Sequence, residues 1–130
     1  MIVDDDQQVR EVLGLALRRS GYYVIEADSG AAALQMARLN LPDLIVSDID
    51  MPGGDGASLL HEIRLDPELK SRQIVLMSGK PDLLARRKSM EEGADDFLEK
   101  PFSLQEFLSC VKARFNRALL SWPVVDQMAA

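Results

Sequence analysis

A chain of 130 residues with 47% hydrophobic and 28% charged residues is long enough for one well-filled core and is balanced like a soluble globular domain. Its net charge of −6 argues against nucleic-acid or anionic-membrane binding by this domain alone, and no apolar run approaches the ~20 residues of a membrane span. A lone cysteine, Cys110, excludes an internal disulfide, and with no signal peptide in view the expected compartment is the cytoplasm.

In chain order, Met1-Ile2-Val3 reads as a short strand running into Asp4-Asp5-Asp6. Asp6 is placed to cap the next segment. That segment, Gln7 to Ser20, carries Val9, Val12, Leu13, Ala16 and Leu17 at helical spacing, and Gly21 stops it. Tyr22 to Ala27 reads as a second strand, and Ser29 to Leu39 as an Ala-rich helix turned by Asn40-Leu41-Pro42. Leu44-Ile45-Val46-Ser47-Asp48 is the clearest element of the chain. An apolar, branched run this short predicts a strand buried on both faces, which belongs to a parallel sheet. Pro52, Gly53, Gly54 and Gly56 break it into a loop that the double glycine should leave mobile.

Ala57 to Arg64 is a third helix with Leu59, Leu60 and Ile63 inward, ended by Asp66-Pro67. Gln73 to Ser78 is a fourth strand closed by Gly79, and Pro81 to Glu92 a fourth helix stopped by Gly93. Asp96 to Glu99 is a fifth strand ended by Lys100-Pro101. Ser103 with Glu106 makes a capping box for a last helix, whose stripe is Leu104, Phe107, Leu108, Val111 and Phe115 and which Trp122-Pro123 ends. Strand and helix alternate five times. The expected fold is α/β and doubly wound, a five-stranded parallel sheet flanked by five helices, with a domain over residues 1–120 and a tail over 121–130.

In such sheets ligands sit beyond the carboxyl ends of the strands. Here those ends carry Asp4 and Asp5, Asp48 with Asp50 just beyond, Ser78 followed by Gly79, and Lys100. Carboxylates gathered at one edge need a positive charge among them, and a hard divalent ion such as Mg²⁺ suits an oxygen donor set. Lys100 adds a second cation, Ser78 a hydroxyl and Gly79 a bare amide. These are the parts for moving a phosphoryl group onto a carboxylate nucleophile. Taken singly, each has a plainer reading: acids at a helix N-terminus, a polar strand end, a surface lysine. His61, mid-helix beside Glu62, reads as a surface residue, and Arg86-Arg87-Lys88 as a solvated face with docking as a second reading.

Four pieces in this order carry a resemblance: Ile2-Val3-Asp4-Asp5-Asp6, the loop from Asp48 to Gly56, Leu76-Met77-Ser78-Gly79, and Gly93 through Lys100-Pro101-Phe102. Over nearly its full length the chain resembles the receiver domain of two-component response regulators, which implies a flavodoxin-like sheet in strand order 2-1-3-4-5. That resemblance implies that Asp48 accepts a phosphoryl group from a sensor histidine kinase or phosphotransfer protein. It implies that Asp5, Asp48 and the Asp50 backbone carbonyl hold Mg²⁺, with Asp4 helping through water. Ser78, Gly79 and Lys100 would bind the phosphoryl oxygens, and Lys100-Pro101 would be a cis bond. Phe97 stands at an aromatic switch position, where with Ser78 it would turn inward and alter the face of the fourth helix, fifth strand and last helix. That face is the expected contact for a downstream effector or output domain, and for a homodimer. Asp50 and Lys80 would flank the path of the hydrolytic water and, by pairing, slow loss of the phosphoryl group. The resemblance implies self-phosphorylation and slow self-dephosphorylation rather than an enzyme acting on metabolites.

A haloacid-dehalogenase-type phosphatase would share the Asp48-Ile49-Asp50 pair, but the chain has no cap insertion and its first acids precede the nucleophile strand. A receiver fold kept only for binding is disfavoured because the acids, Ser78 and Lys100 are all present. Trp122, Val124, Val125 and Met128 would pack back on the domain, lead into an output domain or meet another chain.

Overall fold

The structure, a computed structural model, describes residues 1–52, 56–79 and 83–120. Its elements alternate as β1 (Ile2–Val3), α1 (Gln7–Arg19), β2 (Glu26–Ala27), α2 (Gly30–Asn40), β3 (Leu44–Asp48), α3 (Gly56–Leu65), β4 (Gln73–Ser78), α4 (Leu83–Glu91), β5 (Asp96–Glu99) and α5 (Leu104–Leu120). All strand pairs are parallel, in the order β2-β1-β3-β4-β5. Parallel strands need crossovers, so helices cover both faces and the central strands lose contact with water. Every residue of β3 is buried.

Because side chains alternate across a strand, neighbouring residues supply two different cores. Val3, Ile45, Ile74 and Leu76 pack with Ala33 and Ala37 of α2 and with Leu59, Leu60 and Ile63 of α3. Ile2, Val46, Val75 and Met77 pack on the other face with Leu13 and Leu17 of α1 and Phe107 and Val111 of α5. Each fully buried side chain of this size contributes roughly 1.5–3 kcal/mol relative to exposure. Among the described residues no helix is long and apolar enough to cross a membrane.

The local signals act as chemistry dictates. The Asp6 side chain accepts from the amides of Gln8 and Val9 at the start of α1, and Ser103 Oγ accepts from Glu106 N, 3.0 Å, at the start of α5. Gly21 closes α1 at φ 92°, a conformation that costs a residue with a Cβ. The predicted second strand shortens from Tyr22–Ala27 to Glu26–Ala27. Its only neighbour is β1, whose ladder starts at Ile2 opposite Glu26, so the preceding residues have no strand to pair with. Val12 and Leu104, expected on inner stripes, are 53% and 46% exposed, being at the margins of their helices' buried faces. Pro81, the Gly53-Gly54 loop and the tail from Ser121, including Trp122, Val124, Val125 and Met128, lie outside the described residues.

Arg64, near the end of α3, ties that helix to the backbone at residues 70, 72 and 93. Its guanidinium donates to the carbonyls of Gly93 (2.9 and 2.6 Å), Lys70 (2.9 Å) and Arg72 (2.7 Å). It also pairs with Asp95 Oδ2 at 2.9 Å, and that same oxygen accepts Ile74 N at 2.7 Å. The side chain is only 20% exposed. Removing it takes a donor from the half-buried carbonyls of Gly93 and Arg72 and one of two partners from Asp95 Oδ2. Arg64→Ala should therefore destabilise the fold by about 2 kcal/mol, read as a lower urea midpoint at unchanged slope, and Arg64→Lys should recover only a minor part.

Candidate functional site

Four strand ends meet at the carboxyl edge of the sheet. Asp4 follows β1, Asp48 ends β3, Ser78 ends β4, and Lys100 follows β5. Register does this. Val3 pairs with Ser47, Asp48 with Met77, and Ser78 with Glu99, so the residues one step further emerge side by side. Asp4 and Asp48 are buried while Asp5 is exposed, and carboxylate oxygens of all three lie within 4.8 Å of one another. The Lys100 ammonium sits 3.2 Å from Asp4 Oδ2 and 3.7 Å from Asp48 Oδ1. Asp4 is fixed further, since its Oδ1 accepts Asp6 N at 2.9 Å and its carbonyl accepts Arg10 Nη1 at 2.7 Å.

The electrostatics are those of a site short of positive charge. Burial pushes the Asp48 carboxyl above the ordinary 3.8; Lys100 opposes this, the like charge of Asp4 adds to it, the Asp50 amide lowers it and the Asp50 charge raises it. Two buried acids and a third beside them, served among the described residues by Lys100, favour a further hard cation. The donor set fits Mg²⁺: three carboxylates, hard oxygens only, one of them at the solvent edge.

Asp50 enters differently. Its amide approaches Asp48 Oδ1 at 3.4 Å, and its carboxylate accepts the Ser78 hydroxyl at 3.2 Å. The carboxylate is not one of the three clustered acids. Gly79 is exposed beside the Lys100 side chain. Lys100-Pro101 is cis, as expected. The Phe97 ring is buried, 7% exposed, with Arg86 Cζ 5.8 Å from its centroid. Lys80 lies outside the described residues. Gly56, read from sequence only as one of several loop breakers, has a tighter role. A Cβ there would lie 2.6 Å from Asp48 O and 2.9 Å from Ile49 Cα, so α3 begins against the backbone that carries Asp48. A glycine where a loop enters a helix was the available signal.

The sequence profile of the response regulator receiver domain matches residues 1–112. The chain belongs to that family. Around this receiver, the comparisons agree on sequence and shape. The transcriptional regulatory protein PrrA of Mycobacterium bovis is 41% identical over 118 residues, 90% of this chain and 49% of that protein. A crystal structure from Chloroflexus aurantiacus assigned to the response regulators is 42% identical, covers 88% of this chain and 94% of that chain, and superposes with a TM-score of 0.83. The chemotaxis protein CheY4 of Vibrio cholerae is 26% identical over 87% of this chain and 94% of its own, with a TM-score of 0.82. The chain spans about half the length of the curated relatives it matches.

As a receiver, the domain is a phosphoacceptor that acts through its own phosphorylation and dephosphorylation rather than through turnover of a metabolite. The family works with histidine kinases and output domains. The face made by α4, β5 and α5 is its signalling surface, and here it is loosely packed. Only Ser89 of α4 is buried, while Leu83 and Leu84 are 82% and 74% exposed. Arg114 Nε, 3.6 Å from Asp96, ties α5 to β5. Cys110 Sγ lies 3.6 Å from the same carboxylate, and burial pushes that thiol up to about 12. Arg86, Arg87 and Lys88 are exposed, as is His61.

Proposed function

We propose that Asp48 is the phosphorylated residue of this receiver, that Asp4, Asp5, Asp48 and the Asp50 carbonyl hold Mg²⁺, and that Ser78, Gly79 and Lys100 hold the phosphoryl oxygens. The observation that carries the reading is the meeting of three carboxylates within 4.8 Å beside an ammonium 3.7 Å from Asp48. Bound Mg²⁺ would neutralise carboxylate and phosphoryl charge. Asp48 attacks phosphorus through a carboxylate oxygen; the new O–P bond forms as the donor's breaks, and the donor leaves with the electron pair. Lys100 moves from Asp4 and Asp48 toward the phosphoryl oxygens, where its charge is worth most as the transition state forms. The amide of Gly79 and the hydroxyl of Ser78 hold two of those oxygens.

Charge added at Asp48 then draws the Ser78 hydroxyl, and with it the end of β4, toward the site. Phe97, paired to Leu76 on that strand, responds. The outcome is a population shift of the α4-β5-α5 face, since a ligand can move an equilibrium only by its differential interaction with the two states. In this reading residues 1–120 form the receiver and 121–130 a tail. The phosphodonor is a sensor histidine kinase or phosphotransfer protein, and the altered face serves an effector, an output domain or a second copy of the chain.

Incubation with an acyl phosphate and Mg²⁺, followed by intact mass and peptide mapping, tests the assignment. One phosphoryl group should be gained on the peptide containing Asp48, and none with a chelator present. Catalytic turnover of a phosphate ester without a stoichiometric adduct would overturn it.

A further inference from the structure

The hydroxyl proposed to grip the phosphoryl group is engaged elsewhere. Ser78 Oγ donates to Asp50 Oδ2 at 3.2 Å. A serine hydroxyl has one proton to give. Ser78 is 4% exposed, so that proton is given inside the site. Asp50 is exposed, two residues beyond Asp48, and its own amide leans on Asp48 Oδ1.

We infer that the Asp50 carboxylate is a positioning residue that holds the Ser78 hydroxyl away from the phosphoryl group, so that each phosphorylation must first break this hydrogen bond. The inference rests on Asp48 being the phosphoacceptor. It assigns Asp50 a task separate from any metal contact through its backbone. Ser78 has two competing acceptors, the Asp50 carboxylate and a phosphoryl oxygen, and one donor to offer. The competition works in both directions. It slows uptake, because the hydroxyl must be released before it can stabilise incoming charge. It hastens loss, because Asp50 draws the Ser78 hydrogen bond off the phosphoryl oxygen, an effect opposite in sign to the slowing expected from pairing of Asp50 with Lys80. Asp50 thus biases the site toward the unmodified state without touching phosphorus, and it delays the movement of β4 that the hydroxyl would drive.

A hydrogen bond to an exposed charged acceptor is worth roughly three- to tenfold in an equilibrium or a rate. Removing the Asp50 charge also lessens repulsion of an anionic donor, so one variant cannot isolate the effect. A double-mutant cycle does. Phosphorylation rate and adduct half-life are measured by intact mass with an acyl phosphate and Mg²⁺ for wild type, Asp50→Asn, Asp50→Ala, Ser78→Ala and the pairs. Asp50→Ala should raise the rate and lengthen the half-life by roughly three- to tenfold, and Asp50→Asn by less, because the amide oxygen remains a weaker acceptor. In the Ser78→Ala background that gain should fall by at least about threefold. Ser78→Thr, which keeps a hydroxyl, should restore it. Equal gains with and without a hydroxyl at residue 78 would overturn the inference and leave only charge repulsion. Wild type that gains no phosphoryl group where Asp48→Asn also gains none would instead overturn the assignment of Asp48, and with it this role for Asp50.

Discussion

Asp48→Asn should take up no phosphoryl group from an acyl phosphate, and in the absence of metal it should be more stable than wild type. The first effect follows from chemistry, since an amide oxygen is too poor a nucleophile to displace the donor. The second follows from the site's charge. Burial holds the Asp48 carboxyl above its ordinary 3.8; the Lys100 charge opposes that only in part, and Asp4 adds a smaller like-charge repulsion. An acid whose folded pKa exceeds its unfolded one binds more protons when folded. Its penalty is absent below the unfolded value, grows as pH rises toward the folded one, and is complete above it. A neutral Asn of the same shape removes it, so the urea midpoint at pH 7 should rise and its dependence on pH above 3.8 should flatten. The same substitution removes one of three clustered donors. Mg²⁺ at a hundred times its dissociation constant should stabilise wild type by about 2.7 kcal/mol, and the variant by much less. A variant that is less stable without metal yet equally stabilised by it would place Asp48 outside the cation site.

Much of this was legible beforehand because the site is built on the strongest local signals. Leu44 to Asp48 is an apolar branched run ended by an acid, and any strand of that kind in an alternating α/β chain delivers its last residue to the functional edge. Asp4, Asp5, Ser78 and Lys100 were found by the same reading, as polar ends of three other predicted strands. What was missed depends on contacts between distant segments. β2 is short because of where β1 offers partners, which no window around Tyr22 contains. Leu41 closes α2 in the left-handed region, φ 49°, where a leucine gives no warning. Arg64 looked like one more arginine at a helix end. Its partners are main-chain carbonyls 6, 8 and 29 residues away, and carbonyls leave no mark in a sequence. The Asp50 carboxylate was visible, but its hold on Ser78 exists only once β3 and β4 are paired.

Expressed from Met1 with a free amine, the chain should lose about 3 kcal/mol of stability between pH 8 and pH 5 through that amine alone. Met1 is 9% exposed, and its amine donates to Leu44 O at 2.7 Å. Burial drives this amine from 8.0 down to about 5, against the pull of the Asp43 charge. Above pH 8 neither state holds the extra proton and there is no penalty. Between 8 and 5 the unfolded chain binds a proton that the folded chain refuses, so stability falls by about 1.4 kcal/mol for each unit of acidification. Below 5 both states bind it and the loss stops growing. The amine sits at the start of a short strand, on a residue that lines a cleft of about 360 Å³ with Tyr22, Tyr23, Leu41, Pro42, Val111 and Phe115. An acetyl group on that amine keeps one N–H for Leu44 and cannot take up a proton. Urea unfolding of free and acetylated chains at pH 8, 6.5 and 5 isolates the effect, because every other titrating group is common to both. The two curves should converge near pH 8 and separate steadily toward pH 5, with the acetylated chain the more stable. Curves that run parallel across that range would mean that water reaches the amine and that the cleft imposes no desolvation on it.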